Sequence, residues 1–181
     1  TTTTNGYGIY LQSSSNNNIT NTIGTSASGT YGILLLSSSN NNTLTNNTAS
    51  SASIAISINR SSFNILTSNK LNSSQYGIYI YNSTNNSFTS NNASNNSIGG
   101  LYIDSSAANN TFATNIFCNN TIDVTNADSS NTGTFDTCDS FTGWWFENVH
   151  KGCTFACTSL WHRFFGNFTG GDCCARDLDH R

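Results

Sequence analysis

One asparagine returns along this chain at a nearly constant interval, and that interval restricts the fold more than any other feature. Asn17, Asn42, Asn64, Asn86 and Asn110 are spaced 25, 22, 22 and 24 residues apart. Each is followed two positions later by an apolar residue: Ile19, Leu44, Leu66, Phe88 and Phe112. Ahead of each lies an alternating apolar pair: Ile9/Leu11, Leu34/Leu36, Ile56/Ile58, Ile78/Ile80 and Leu101/Ile103. A sixth pair, Ile122/Val124, opens another turn. Self-similarity at a period of about 22 residues identifies a solenoid. Alternation within each pair identifies strands, whose side chains point to opposite faces in turn.

Asn, Ser and Thr make up close to half the chain, a composition that normally leaves too little apolar surface to offset chain entropy. The regular placement of the few apolar residues overrides that expectation, because a thin solenoid needs only a narrow core. The chain contains no Pro, which suits an uninterrupted hydrogen-bonded ladder. Charged residues are only 8% and the net charge is −3, so no basic stripe exists to hold a nucleic acid. No apolar run reaches the ~18 residues of a membrane-spanning helix. Gly, Asn, Ser and Thr dominate, and these favour turns and caps over helix interiors.

The pattern changes near residue 134. Residues 1–134 hold five charged residues (Arg60, Lys70, Asp104, Asp123 and Asp128), and the last 47 residues hold the other ten. All three Trp, all three His and five of the six Cys also lie in that tail. We therefore divide the chain into repeats over 1–134 and a disulfide-rich cap or assembly module over 135–181. The expected fold is all-β: a right-handed parallel β-helix with about 22–25 residues per coil, carrying a small Cys/Trp-rich C-terminal module.

In such a fold, equivalent positions of successive coils lie about 4.8 Å apart. The recurring asparagines can then hydrogen-bond along the axis through their amides. A second column follows: Asn47, Asn69, Asn91 and Asn115, with Thr22 in the first coil. The pairs predict two interior columns, Leu34, Ile56, Ile78 and Leu101, then Leu36, Ile58, Ile80 and Ile103.

The segment Gly-Ile-Tyr-Ile-Tyr-Asn-Ser-Thr-Asn-Asn-Ser-Phe-Thr-Ser-Asn-Asn at residues 77–92 resembles the NosD-type repeat of pectate-lyase-like right-handed parallel β-helices. The resemblance covers roughly residues 6–134. It implies the architecture firmly and the activity loosely, since those proteins include lyases, sugar-binding modules and surface-layer or adhesive proteins. Lyases of that kind need a basic residue and acidic metal ligands on one face. Arg60 and Lys70 are the only basic residues of the repeats, and neither falls among the outward tyrosines, so no catalytic residue is assigned and the chain is read as non-enzymatic. The family name is tied to copper, yet the repeats contain no His, no Met and a single Cys. No cofactor and no metal site is expected.

Aligning the first strands gives an outward column of Tyr10, Leu35, Ser57, Tyr79, Tyr102 and Asp123, with Tyr81 and Asp104 beside it. Tyr79, Tyr81, Tyr102, Asp104 and Asp123 are thus the candidate carbohydrate-binding patch: ring faces for stacking and carboxylates for hydroxyls. Asp104 and Asp123 would stand about 7–8 Å apart as diagonal neighbours, near the spacing of an inverting glycosidase. Against this, tyrosines on a sheet also serve simply as packing or as a subunit contact.

In the tail, His150, Cys153, Cys157 and His162 could bind zinc or copper, but the spacing fits no standard finger. Six cysteines, Cys118, Cys138, Cys153, Cys157, Cys173 and Cys174, are instead expected to form three disulfides, as small segments with little core often require. Trp144, Trp145, Phe146, Trp161, Phe164 and Phe165 are expected to fill the core of a cap. Twelve Asn-x-Ser/Thr sequons, at Asn18, Asn41, Asn46, Asn59, Asn72, Asn82, Asn85, Asn92, Asn95, Asn109, Asn119 and Asn167, are glycosylation candidates if the chain is secreted.

These features together predict an extracellular, cell-surface or secreted structural protein: a component of a surface, sheath, adhesin or filament. The alternative is a carbohydrate-binding or polysaccharide-cleaving β-helix. The expected partners are further copies, joined through the solenoid ends, because exposed strand edges template pairing; a polysaccharide is a second candidate.

Overall fold

The computed structural model describes residues 2–3, 6–143 and 153–157. Among them every regular element is a strand and every strand pairing is parallel. The chain winds through three faces in turn. The front face carries the long strands: Tyr7–Gln12, Tyr31–Leu36, Ile54–Asn59, Tyr76–Tyr81, Gly99–Ile103, Ile122–Asn126 and the short Phe141–Thr142. The side face stacks six strands of three residues, from Asn18–Thr20 to Thr132–Thr134. The back face runs from Thr2–Thr3 through Ile23–Ser26, Thr48–Ser51 and Lys70–Leu71. It then crosses single bridges at Asn92 to Ile116–Phe117, Asp136–Cys138 and Cys153–Phe155.

The core is a set of apolar columns. On the front face Ile9, Ile33, Ile56, Ile78, Leu101 and Val124 stand in register. Leu11, Leu35, Ile58, Ile80 and Ile103 form the second column, which Asn126 continues. The side face contributes Ile19, Leu44, Leu66, Phe88 and Phe112, with the Phe88 and Phe112 rings stacked at 4.6 Å. Fully burying each such side chain is worth about 1.5–3 kcal/mol, and nearly every rung of the described coils contributes several.

The second coil corrects the alignment drawn from the pairs. Ile33 and Leu35, both fully buried, are its interior residues; Leu34 and Leu36 point outward. The cause is the corner glycine. A Cβ built on Gly32 would stand 2.7 Å from the Ala55 carbonyl oxygen and 2.8 Å from that of Gly24. Only glycine allows this approach, so Gly32 fixes the corner and Ile33 begins the strand interior. The sixth coil shifts likewise. Val124 and Asn126 hold the two interior positions, and Asp123 takes the place that Gly100 has one coil earlier.

Three amide ladders run along the corners. In the first, the backbone N–H and Nδ2 of Asn17 donate to Oδ1 of Asn42 at 2.8 and 3.0 Å. The same double donation continues from Asn42 to Asn64, Asn64 to Asn86, Asn86 to Asn110, and Asn110 to Asn131. The second ladder links Thr22, Asn47, Asn69, Asn91 and Asn115 and ends on Asp136. The third begins with the hydroxyl of Ser74, passes through Asn96 and Asn120, and ends on Asp123. Most ladder amides also send Nδ2 to a carbonyl of the preceding coil, as Asn69 does to Leu44 at 2.9 Å. The amides within these ladders therefore have their acceptors matched to donors, which is the condition for burying them at all.

The corners outside the ladders explain the rest of the composition. Among the described residues, nineteen non-glycine positions have positive φ, and fifteen of them are Asn or Ser. Asn tolerates this left-handed backbone at lower cost than most residues, and Ser is short enough to bond the local backbone there.

Candidate functional site

Outward positions of the front face gather every tyrosine in the chain. Tyr7, Tyr31, Ile54, Tyr76, Gly99 and Ile122 form one column. Tyr10, Leu34, Ser57, Tyr79, Tyr102 and Thr125 form the next. Tyr81 follows Leu36 and Asn59 at the strand end. All seven tyrosines of the sequence are accounted for here.

The rings form two groups. Tyr79 and Tyr102 stack at 4.7 Å, with the Tyr76 ring set edgewise against both. Nearer the N-terminus, Tyr7 stacks on Tyr10 at 4.7 Å and on Tyr31 at 5.7 Å. Between the groups the outward-facing Leu34 and Ser57 are each only 3% exposed, so the aromatic surface is a close-packed layer and not a set of isolated rings. Burial raises the Tyr79 phenol above its ordinary value, and its neighbours Tyr102, Tyr76 and Asp104 push the same way. The Tyr31 phenol is likewise raised, first by burial and then by Tyr7. Both are hydroxyl donors at neutral pH.

Asp104 follows Ile103, the register partner of Ile80, and so stands beside Tyr81. The Ser106 hydroxyl and backbone N–H both donate to its Oδ1, and these bonds hold its pKa below the usual carboxylate range. It is a fixed anionic acceptor at the edge of the tyrosine layer.

Of the five residues predicted for this patch, the structure brings together Tyr79, Tyr81, Tyr102 and Asp104. Asp123 does not join them. It is 2% exposed and turned inward. Its Oδ1 accepts from Asn120, and its Oδ2 accepts from the N–H groups of Asp139 at 2.8 Å and Ser140 at 3.1 Å. The Asp104/Asp123 pair suggested by the one-residue misalignment is therefore not formed. Tyr76 and the group of Tyr7, Tyr10 and Tyr31 complete the surface. Tyr10 was already in the predicted outward column; the signal for Tyr7, Tyr31 and Tyr76 was the dipeptide Tyr-Gly at 7–8, 31–32 and 76–77, which puts a tyrosine immediately ahead of the corner on the outer side.

None of the sequon asparagines in the described residues is buried. Asn18, Asn41, Asn46, Asn82, Asn85, Asn92, Asn95, Asn109 and Asn119 are exposed, and Asn59 and Asn72 half-buried. Geometry explains the sorting. Two positions after a ladder asparagine of the first two ladders comes an inward residue, as Leu44 follows Asn42, so ladder positions do not carry the Ser or Thr a sequon needs. Asn167 lies outside the described residues.

Cys118 pairs with Cys157 and Cys138 with Cys153, which ties the last back-face strand to the two coils before it. Cys173 and Cys174 lie outside the described residues, as do His150, His162 and the tryptophans. Persistent disulfides fit an oxidising compartment.

The family model described as "Periplasmic copper-binding protein (NosD)" matches residues 1–140. No curated protein and no solved structure matches the chain. Copper favours imidazole, thiolate and thioether ligands. The described residues contain no His or Met, their four cysteines are in disulfides, and no three His, Cys, Asp or Glu side chains gather into a metal-binding group. The described residues therefore do not fit a copper centre. What they share with the matched family is the repeat itself and the parallel solenoid it builds, and by that match over most of its length the chain belongs to the NosD family of β-helix proteins.

Proposed function

We propose that the protein is a structural element outside the cytoplasm, a stiff rod within a cell surface, sheath or filament. The observation that carries this reading is the continuous stacking of the coils, with three amide ladders along the corners and two disulfides tying the last described strand to the coils before it. Such a body resists bending and local opening, because each coil's backbone and side-chain hydrogen bonds are shared with the next. Exposed sequon asparagines along the corners would carry glycans, and further copies would join through the solenoid ends. Sedimentation and electron microscopy of the purified protein at micromolar concentration test the assembly. Rods or filaments growing with concentration support it, and a monomer at all concentrations refutes it.

The tyrosine layer favours a second role on the same rod: non-catalytic adhesion to a polysaccharide. Stacked rings offer apolar faces, while phenol hydroxyls and the Asp104 carboxylate offer donors and an acceptor. On that reading, affinity electrophoresis through gels containing neutral polysaccharides retards the wild-type protein. Tyr79→Ala and Tyr102→Ala each lose roughly tenfold in affinity, since losing one stacked aromatic costs about 1–1.5 kcal/mol. Unchanged mobility of both variants would remove the sugar reading and leave the rod reading intact.

A further inference from the structure

The last rung of the second ladder is chemically unlike the rungs before it. Asn47, Asn69, Asn91 and Asn115 each use their side chain in one way. Oδ1 accepts from the preceding coil, and Nδ2 donates both forward to the next rung and back to a carbonyl. The carbonyls on the backward bond are those of Ile19, Leu44, Leu66 and Phe88, at 2.9 to 3.0 Å. Asp136 occupies the next rung. Its Oδ1 accepts from the Asn115 N–H at 2.7 Å and Nδ2 at 2.9 Å, as an asparagine there would. Its Oδ2 takes the place of the amide nitrogen, is buried, and has no partner. Thr134 Oγ1 donates to the next carbonyl in the backward series, that of Phe112, at 3.4 Å. An ionised oxygen enclosed without a donor is left uncompensated, whereas a protonated one has a hydroxyl to donate.

We propose that Asp136 is a neutral carboxylic acid in the folded protein, with the proton on Oδ2 replacing the amide donor of the earlier rungs, and that its loss loosens the C-terminal end of the solenoid. Burial raises its pKa to about 7, against the lowering effect of the Asn115 donors and, last, of the Thr134 backbone. The residue is wholly enclosed. Its neighbours in space are the ladder residue Asn115 and the register partner Cys153, which is disulfide-bonded to Cys138. Neither carries a charge, and no cation faces the carboxyl among the described residues. Asp123 gives the contrast: both its oxygens accept N–H bonds, and neither is left without a donor.

The sign follows from linkage. A carboxyl whose folded pKa lies above its unfolded value stabilises fully below pH ~4, and that contribution is lost as pH rises towards about 7. Asp104 and Asp128 are shifted the other way by their Ser106 and Ser130 bonds, so their contributions change only below pH ~4. The comparison must therefore be with Asp136→Asn, which keeps every other group.

The test is equilibrium unfolding of wild-type and Asp136→Asn full chains, with disulfides intact, from pH 4.5 to 8.5. The proposal expects the wild-type folding constant to fall, relative to the variant, by on the order of a hundredfold or more across that range. Parallel profiles would overturn it. Because the variant could fold poorly, the wild-type carboxyl is also titrated directly by carbon NMR of labelled aspartate. A resonance moving with a midpoint near neutrality supports the proposal, and every aspartate titrating near 4 refutes it.

Discussion

The same amino acid does two different jobs a single residue apart. Asn85 and Asn86 are adjacent; the first is exposed at φ +57° and the second is 1% exposed within a ladder. At Asn86 the amide is indispensable, because its nitrogen donates to both Asn110 Oδ1 and the Ser61 carbonyl while its oxygen accepts from Asn64. At Asn85 the amide makes one exposed 3.3 Å bond to the neighbouring Thr84, and what the position needs is a left-handed backbone. The inner residue is held by hydrogen-bond chemistry, the outer one by conformational tolerance. Counting asparagines without this distinction makes the chain look disordered.

The contrast is broken most severely by Asn91→Asp. That change puts a carboxylate oxygen against the Leu66 carbonyl in mid-ladder, with a coil on either side. Leaving a buried charge unpaired costs roughly 3–5 kcal/mol. Denaturant unfolding at pH 8 should show that loss, and lowering the pH to 4.5 should restore part of it.

Asn64→Ala is the next largest. It orphans the N–H of Asn42 and removes one of the two acceptors of its Nδ2, which keeps the Ser14 carbonyl; the cost is about 1–3 kcal/mol at constant denaturant slope. An unchanged midpoint would mean that the ladders are incidental to stability.

At the small end, Asn85→Gly should shift the midpoint by less than ~0.5 kcal/mol. Glycine satisfies the positive φ, and the lost amide had little to do. A loss comparable with Asn64→Ala would erase the distinction between inner and outer positions.

The fold was legible because its two signals are geometric. An i, i+2 apolar pair and an asparagine recurring near every 22 residues leave no helical alternative. The side-face column Leu44, Leu66, Phe88, Phe112 and both predicted asparagine columns stand where the spacing put them. Register in the second coil was not read correctly, because Ile33-Leu34-Leu35-Leu36 is apolar at every position and alternation within it is ambiguous. The corner glycine, which packs backbone against backbone, decides it. The third ladder escaped notice because its early rungs are the serines Ser51 and Ser74 and its last is an aspartate. Asn131 was missed because the residue two after it is Gly133 in place of an apolar side chain. As for the tyrosine layer, Tyr10, Tyr79, Tyr81 and Tyr102 were visible as outward positions by alternation. The remainder depended on knowing that the residue before the glycine lies outside.

The ladders have a direction, and it bears on how such a rod changes length over generations. Each asparagine rung inside the first ladder offers donors to the coil after it and an acceptor to the coil before it. A copied coil inserted in the middle would therefore find the acceptor it needs on one side and the donors it needs on the other, whichever of its neighbours it came from. The 22-residue step from Asn42 to Asn64 and again from Asn64 to Asn86 shows coils that are already interchangeable in this sense. Duplication or deletion of one unit is then a neutral event for the joints on either side, provided it stays clear of the aspartate-capped end. Slippage of the gene during replication could thus lengthen or shorten the molecule without redesigning it, leaving selection to act on reach.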